Sequence, residues 1–146
     1  MMSDLEVDSV RASSELALVR RLALAALEAL ERERQRIDGL NIYPVPDGDT
    51  GMNLVLTVRA LVEELDASEP VEQAVFRRDF ARALLMRARG TSGVILSQIV
   101  RGLCDVWGRS ADLTTADFKE ALCEGATSAY RAVKEPVEGT LSLIHI

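Results

Sequence analysis

Apolar residues recur at intervals of three and four along nearly the whole chain, with no convincing alternation of the kind a half-buried strand requires. That pattern confines the sequence to helices packed on helices. The first run, from about Ser13 to Ile37, lines Leu16, Val19, Ala23, Leu27 and Leu30 along one face and closes on a charged, mixed-sign stretch from Glu31 to Arg36. Asp38-Gly39 is expected to stop it, because glycine tolerates the left-handed conformation common just past a helix end. The two prolines of Leu40 to Asp49 forbid a helix there. A second helix is expected from Thr50 with Leu54, Val58, Leu61 and Leu65 on one stripe, broken by Ala67-Ser68-Glu69-Pro70. A third, over 71–87, turns Val75, Phe76, Phe80, Ala83 and Leu84 inward. A fourth, capped by Thr91 or Ser92 after Gly90, carries Leu96, Ile99, Val100, Leu103 and Trp107. A fifth, capped by Thr114 or Thr115, carries Phe118, Leu122, Ala126, Tyr130 and Val133 and ends at Pro136. Short connections make neighbouring helices antiparallel.

The 146 residues suit one domain with a real core, which aliphatic side chains must build because only 4% of the residues are aromatic. A net charge of −6 argues against general nucleic-acid binding, which needs a basic surface. One bound nucleotide stays compatible with it, since a divalent cation reverses the local sign. Cys104 and Cys123 have neither pairing nor metal-ligand spacing and read as reduced thiols, which suits a cytoplasmic protein. The acidic start (Asp4, Glu6, Asp8) is not a signal peptide, and no apolar run approaches a membrane span.

Chemistry concentrates in two loops. In Asp47-Gly48-Asp49-Thr50-Gly51-Met52-Asn53, two carboxylates either side of a glycine can hold a hard divalent cation, and Asn41 just upstream offers a further oxygen. The helix that follows presents free N–H groups and a dipole that favours anions. Arg89-Gly90-Thr91-Ser92-Gly93 is a second phosphate-friendly helix start. Taken alone, each is also an ordinary turn before a capped helix. One down-and-back passage separates them, so an antiparallel bundle can bring both starts to the same end.

Other frameworks fit less well. Neither a P-loop nor a Gly-x-Gly-x-x-Gly fingerprint is present. A calcium loop from Asp47 would need glycine where Met52 stands and glutamate where Val58 stands. An aspartyl-nucleophile phosphatase motif needs an apolar strand before it; Tyr43-Pro44-Val45-Pro46 is a poor strand, which leaves that reading a distant competitor. His145, the sole histidine, leaves Ser/His/Asp chemistry with little support.

Asn41-Ile42-Tyr43-Pro44-Val45-Pro46-Asp47-Gly48-Asp49-Thr50-Gly51-Met52-Asn53 closely resembles a signature of the nucleotide-binding, dihydroxyacetone-kinase L-subunit-like (DhaL) domain of bacterial fatty acid kinase. Arg87 to Gln98 resembles its second signature, and Glu135-Pro136-Val137-Glu138-Gly139-Thr140 its third. The resemblance implies an antiparallel helical barrel with ATP at one end, the phosphates bridged by two magnesium ions. Carried over residue by residue, it makes Asp47 and Asp49 the catalytic metal ligands, with Asn41 near the place of a third. Thr50, Gly51 and Asn53 would lie beside the phosphates, Thr91, Ser92 and Gly93 at the second helix start, and Thr140 would approach the nucleotide. It implies a partner protein that binds the fatty acid and presents its carboxylate, giving an acyl phosphate. The dihydroxyacetone branch would phosphorylate a sugar instead.

Met52 and Thr91 stand where the family more often has threonine and asparagine. Residues 1–140 are expected to form a partial kinase domain, an incomplete all-α bundle or barrel. The abrupt end of the match predicts a truncated reading frame whose tail, 141–146, is foreign to the family. A helical interaction module without catalysis is the competing expectation, both loops then being structural turns.

Overall fold

The computed structural model describes residues 4–42, 46–67, 73–107 and 114–132, the side chains of 4–15, 73–76 and 107 excepted. Five helices follow one another: α1 (Asp4–Leu40), α2 (Thr50–Ala67), α3 (Gln73–Arg87), α4 (Gly90–Trp107) and α5 (Thr115–Ala132). No strand occurs among the described residues, and the all-α expectation holds.

Ion pairs fix the direction of the first two helices. Arg20 pairs with Asp66, Arg59 with Glu31 at 2.7 Å, and Asp38 meets the start of α2, so ascending positions on α1 face descending positions on α2. The two are antiparallel. α2 also lies against α3 and α4, α3 against α4, and α5 against α4. The core sits where the first four helices meet. Val58, Leu61, Val62 and Leu65 of α2 pack with Ala23 of α1 and with Phe80 and Leu84 of α3, and Leu96, Val100 and Cys104 of α4 close over them. The expected face of α1 is the observed one, since Leu16, Val19, Leu27 and Leu30 all pack on this cluster.

Three local expectations are corrected. α1 runs through Asp38-Gly39 to Leu40, and Gly39 does not take a positive φ. There the Asp38 carboxylate reaches the start of α2. α4 begins ahead of Thr91 and Ser92, its first hydrogen bond running from Gly93 N to Arg89 O, so neither hydroxyl residue is its cap. On α5, Phe118 and Tyr130 are exposed, at 62% and 38%, while Ala121, Gly125, Ser128 and Ala129 are buried. A close approach of backbones explains the turned face. A Cβ on Gly102 would stand 2.5 Å from the Gly125 Cα, a separation that only small residues permit. Thr114 does cap α5, reciprocally with Asp117: the Asp117 N–H donates to Oγ1 (3.2 Å), and the Thr114 N–H and hydroxyl donate to the Asp117 carboxylate at 2.9 and 2.6 Å. Val75, Phe76 and Trp107 (as side chains), and Val133 and Pro136, lie outside the described residues.

Candidate nucleotide-binding site

The loop ahead of α2 is anchored by a residue on α1. One carboxylate oxygen of Asp38 accepts the N–H groups of Gly51 (2.7 Å) and Met52 (3.2 Å), two of the donors that a helix start leaves without partners. At Gly51 the two helices approach closely, since a Cβ there would lie 2.5 Å from the Arg34 carbonyl oxygen. The helix itself starts from Asp49, whose carbonyl accepts the Asn53 N–H at 2.8 Å. Gly48 sits between the two acidic residues with φ +64°, a conformation that lets the chain reverse between them. Asp47 and Asp49 are both exposed, and the Asn41 amide donates to Asp47 Oδ1 at 2.5 Å.

α2 carries the second anchor one turn past Asn53. The Thr57 hydroxyl, fully buried, donates to the Asn53 carbonyl (2.7 Å) and accepts the Arg89 N–H (3.1 Å). Gly90, at φ +63°, presses against the Asn53 side chain, and Gly93 against the Thr57 hydroxyl. Position 90 therefore lies beside 53 and 93 beside 57, so α4 runs parallel to α2 and both helices start at the same end. Arg87 ties the end of α3 to α2 through Glu64 (2.8 Å) and Glu63. Both carboxylates raise the guanidinium above its ordinary value, Glu64 the more.

The expected residues divide accordingly. Asn41, Asp47, Asp49, Thr50, Gly51 and Asn53 share one loop and helix start, and Asn53 joins them to Gly90 and the stretch Thr91, Ser92 and Gly93. Ser92 and Gly93 are buried and Thr91 is exposed. Thr140, Tyr43 to Val45 and the tail 141–146 lie outside the described residues. No group of three or more His, Cys, Asp or Glu side chains among the described residues converges to hold a metal ion. Two exposed carboxylates on one turn nonetheless suit magnesium, which keeps several waters and takes one or two carboxylates together with substrate phosphates.

A family model for the DAK2 domain matches residues 44–142, most of the chain and both loops. The chain belongs to the DAK2 family. As a DAK2 domain it is kinase-related and of a nucleotide-binding type. It is 39% identical over 120 residues to a protein of Staphylococcus epidermidis strain ATCC 12228, and 38% identical to one of Staphylococcus aureus strain USA300, both described as uncharacterized. The match takes in 82% of this chain and 22% of either relative, so the DAK2 chain spans about a fifth of the length of these relatives. No helix among its described residues is long and apolar enough to cross a membrane.

Sequence reasoning missed two residues that hold this candidate site together. Asp38 read as part of a helix stop, and nothing local reveals that its carboxylate serves a helix 13 positions on. Thr57 was hidden in an apolar stripe, although its place four residues after Asn53 puts both on one helix face, a usable signal.

Proposed function

We propose that this DAK2 domain binds Mg-ATP where α2 and α4 begin and serves a kinase that phosphorylates a substrate presented by a partner protein. One observation carries the reading: two loops, each opening a helix and each bearing a family signature, meet at one end of the bundle through Asn53 and Gly90. In this reading Asp47 and Asp49, with Asn41 beside them, hold magnesium, two ions by family resemblance. Bound there, the cation would neutralise phosphate charge, the main requirement of phosphoryl transfer. Thr50, Gly51 and Asn53 approach the phosphates from one side and Thr91, Ser92 and Gly93 from the other, with Thr140 reaching the nucleotide. The resemblance of both signatures favours a fatty acid as substrate and an acyl phosphate as product, with a fatty-acid-binding protein as partner. A sugar substrate of the dihydroxyacetone type is the alternative. Residues 1–140 form the domain in this view, and a cytoplasmic location goes with it.

One observation favours a structural role instead. The Gly51 and Met52 amides already have a partner in Asp38, as they would in a turn that binds nothing. Titrating ADP or ATP into the chain by calorimetry, with and without magnesium, separates the two readings. Magnesium-dependent binding that disappears in Asp47→Ala/Asp49→Ala is the expected result. A folded wild-type chain that takes up no nucleotide would overturn the proposal.

A further inference from the structure

We propose that Asp38 is a positioning residue for the nucleotide site, holding from α1 the turn that carries Asp47 and Asp49. The inference rests on the nucleotide-binding reading and adds to it a residue outside both loops.

Three observations lead to Asp38. Its Oδ1 accepts two successive amides at the start of α2, so it fixes the position and direction of the first helical turn. Its own carbonyl accepts the Asn41 N–H at 3.2 Å, and Asn41 in turn donates to Asp47. One residue of α1 thus holds the loop at its entry and at its exit. Gly48, between the two carboxylates, passes close to the same carbonyl: a Cβ there would lie 3.8 Å from it. The segment between these anchors contains the two acidic residues that the proposed function needs, both of them exposed. On both sides of them the chain is bonded to Asp38, at Asn41 before and at Gly51 and Met52 after.

Such a residue touches no nucleotide and supplies no ligand, yet sets where the ligands stand. Groups hydrogen-bonded to metal ligands typically govern metal affinity by about 10- to 100-fold, and Asp38 acts at one remove, through Asn41 on Asp47. The isosteric Asp38→Asn keeps an acceptor oxygen in place, whereas Asp38→Ala removes it. The positioning role therefore predicts an ordering of the two variants that mere loss of stability does not.

The test measures Mg-ADP affinity by calorimetry across a magnesium series for wild type, Asp38→Ala and Asp38→Asn, with Leu65→Ala as a control. Leu65 is a core residue at the far end of α2. Hydrogen exchange at the Gly51 and Met52 amides is followed in parallel. Asp38→Ala is expected to weaken Mg-ADP binding about 10- to 100-fold, to require more magnesium for half-saturation, and to lose protection at both amides. Asp38→Asn should recover most of the affinity and the protection. Leu65→Ala should lower the unfolding midpoint while leaving the affinity of its folded fraction near wild type. Asp38→Ala that binds like wild type overturns the role, as does Asp38→Asn that is no better than Asp38→Ala. Wild type that binds no nucleotide would overturn the nucleotide-binding reading itself, and amide protection lost in Asp38→Ala alone would then mark the residue as a helix cap only.

Discussion

Gly39→Ala and Gly102→Ala are the same chemical change in two helices, and they should move stability in opposite directions. A Cβ at Gly39 meets nothing within 4 Å. That variant gains only the helix-propensity difference, about 0.5–1 kcal/mol in a helix interior and less at the penultimate position of α1. A Cβ at Gly102 would stand 2.5 Å from both the Cα and the N of Gly125 and 2.7 Å from the Glu124 carbonyl carbon. Carbon atoms in contact prefer about 3.5–4.0 Å, so α4 and α5 must part by about 1 Å along this line. The obstructing atoms are backbone, so no side-chain rotation relieves the clash. Forced separation of a close contact costs about 1–3 kcal/mol, against which the propensity gain of a helix interior is set. Gly102→Ala should therefore lose about 1–2 kcal/mol, leaving the two variants roughly 2 kcal/mol apart. For a chain of this size that is a difference in melting midpoint of about 4–8 °C. Urea unfolding followed by far-UV circular dichroism, with slopes compared to confirm a common unfolded state, measures it directly. Gly102→Ala as stable as Gly39→Ala would refute the packing argument.

Other outcomes follow from single side chains. Thr57→Val keeps the shape but strips the Arg89 N–H of its partner, and should cost about 1–2 kcal/mol in the same urea assay, with Thr57→Ser losing less. Leu84→Ala, at a residue 1% exposed, should cost about 2–5 kcal/mol, whereas Phe118→Gln should stay within about 0.5 kcal/mol of wild type. Burial, helped by the Asp105 charge and opposed by Arg77, pushes the Cys104 thiol up to about 12. Since the folded chain holds that proton longer than the unfolded one, this contribution is intact below the ordinary thiol range and falls away as pH climbs towards 12. An alkaline unfolding series on wild type and Cys104→Ala should show the variant's stability declining less over that window. Native alkylation near pH 8 should modify exposed Cys123 and spare Cys104 until the chain unfolds.

The periodicity of α1 and α2 was legible because the large aliphatic residues on their stripes are the ones that pack into the core. Leu54, Val58, Leu61 and Leu65 are all buried as their spacing requires. α5 misled for the opposite reason. Its large apolar residues mark one stripe and its small ones another, and a contact between backbones selects the small one. A hydrophobicity pattern ranks residues by transfer to an apolar medium and cannot register that distance of approach decides which face is used. At the site, the two loops were legible as unusual local sequence, and so was their meeting at one end, which follows from helix count. The hold exerted by Asp38 was not, because it depends on the register between α1 and α2 rather than on any short motif. Helix ends erred similarly: Gly39 and Thr91 have the residue types of a stop and a cap, yet α1 runs on to Leu40, and the Arg89 N–H ahead of α4 finds its partner on α2.

Both loops are gripped at points on α2, Gly51 facing α1 and Thr57 facing the start of α4. Six residues separate them, about 9 Å along the helix axis and about a third of a turn around it. α2 thus serves as a ruler whose graduations are single residues, and the two loops meet only because it has the right count. One inserted residue between Met52 and Thr57 would leave composition, charge and helix content almost unchanged. It would nevertheless swing one of the two points about 100° around the axis relative to the other. The span between the two loops therefore tolerates exchange of side chains far better than any change in length.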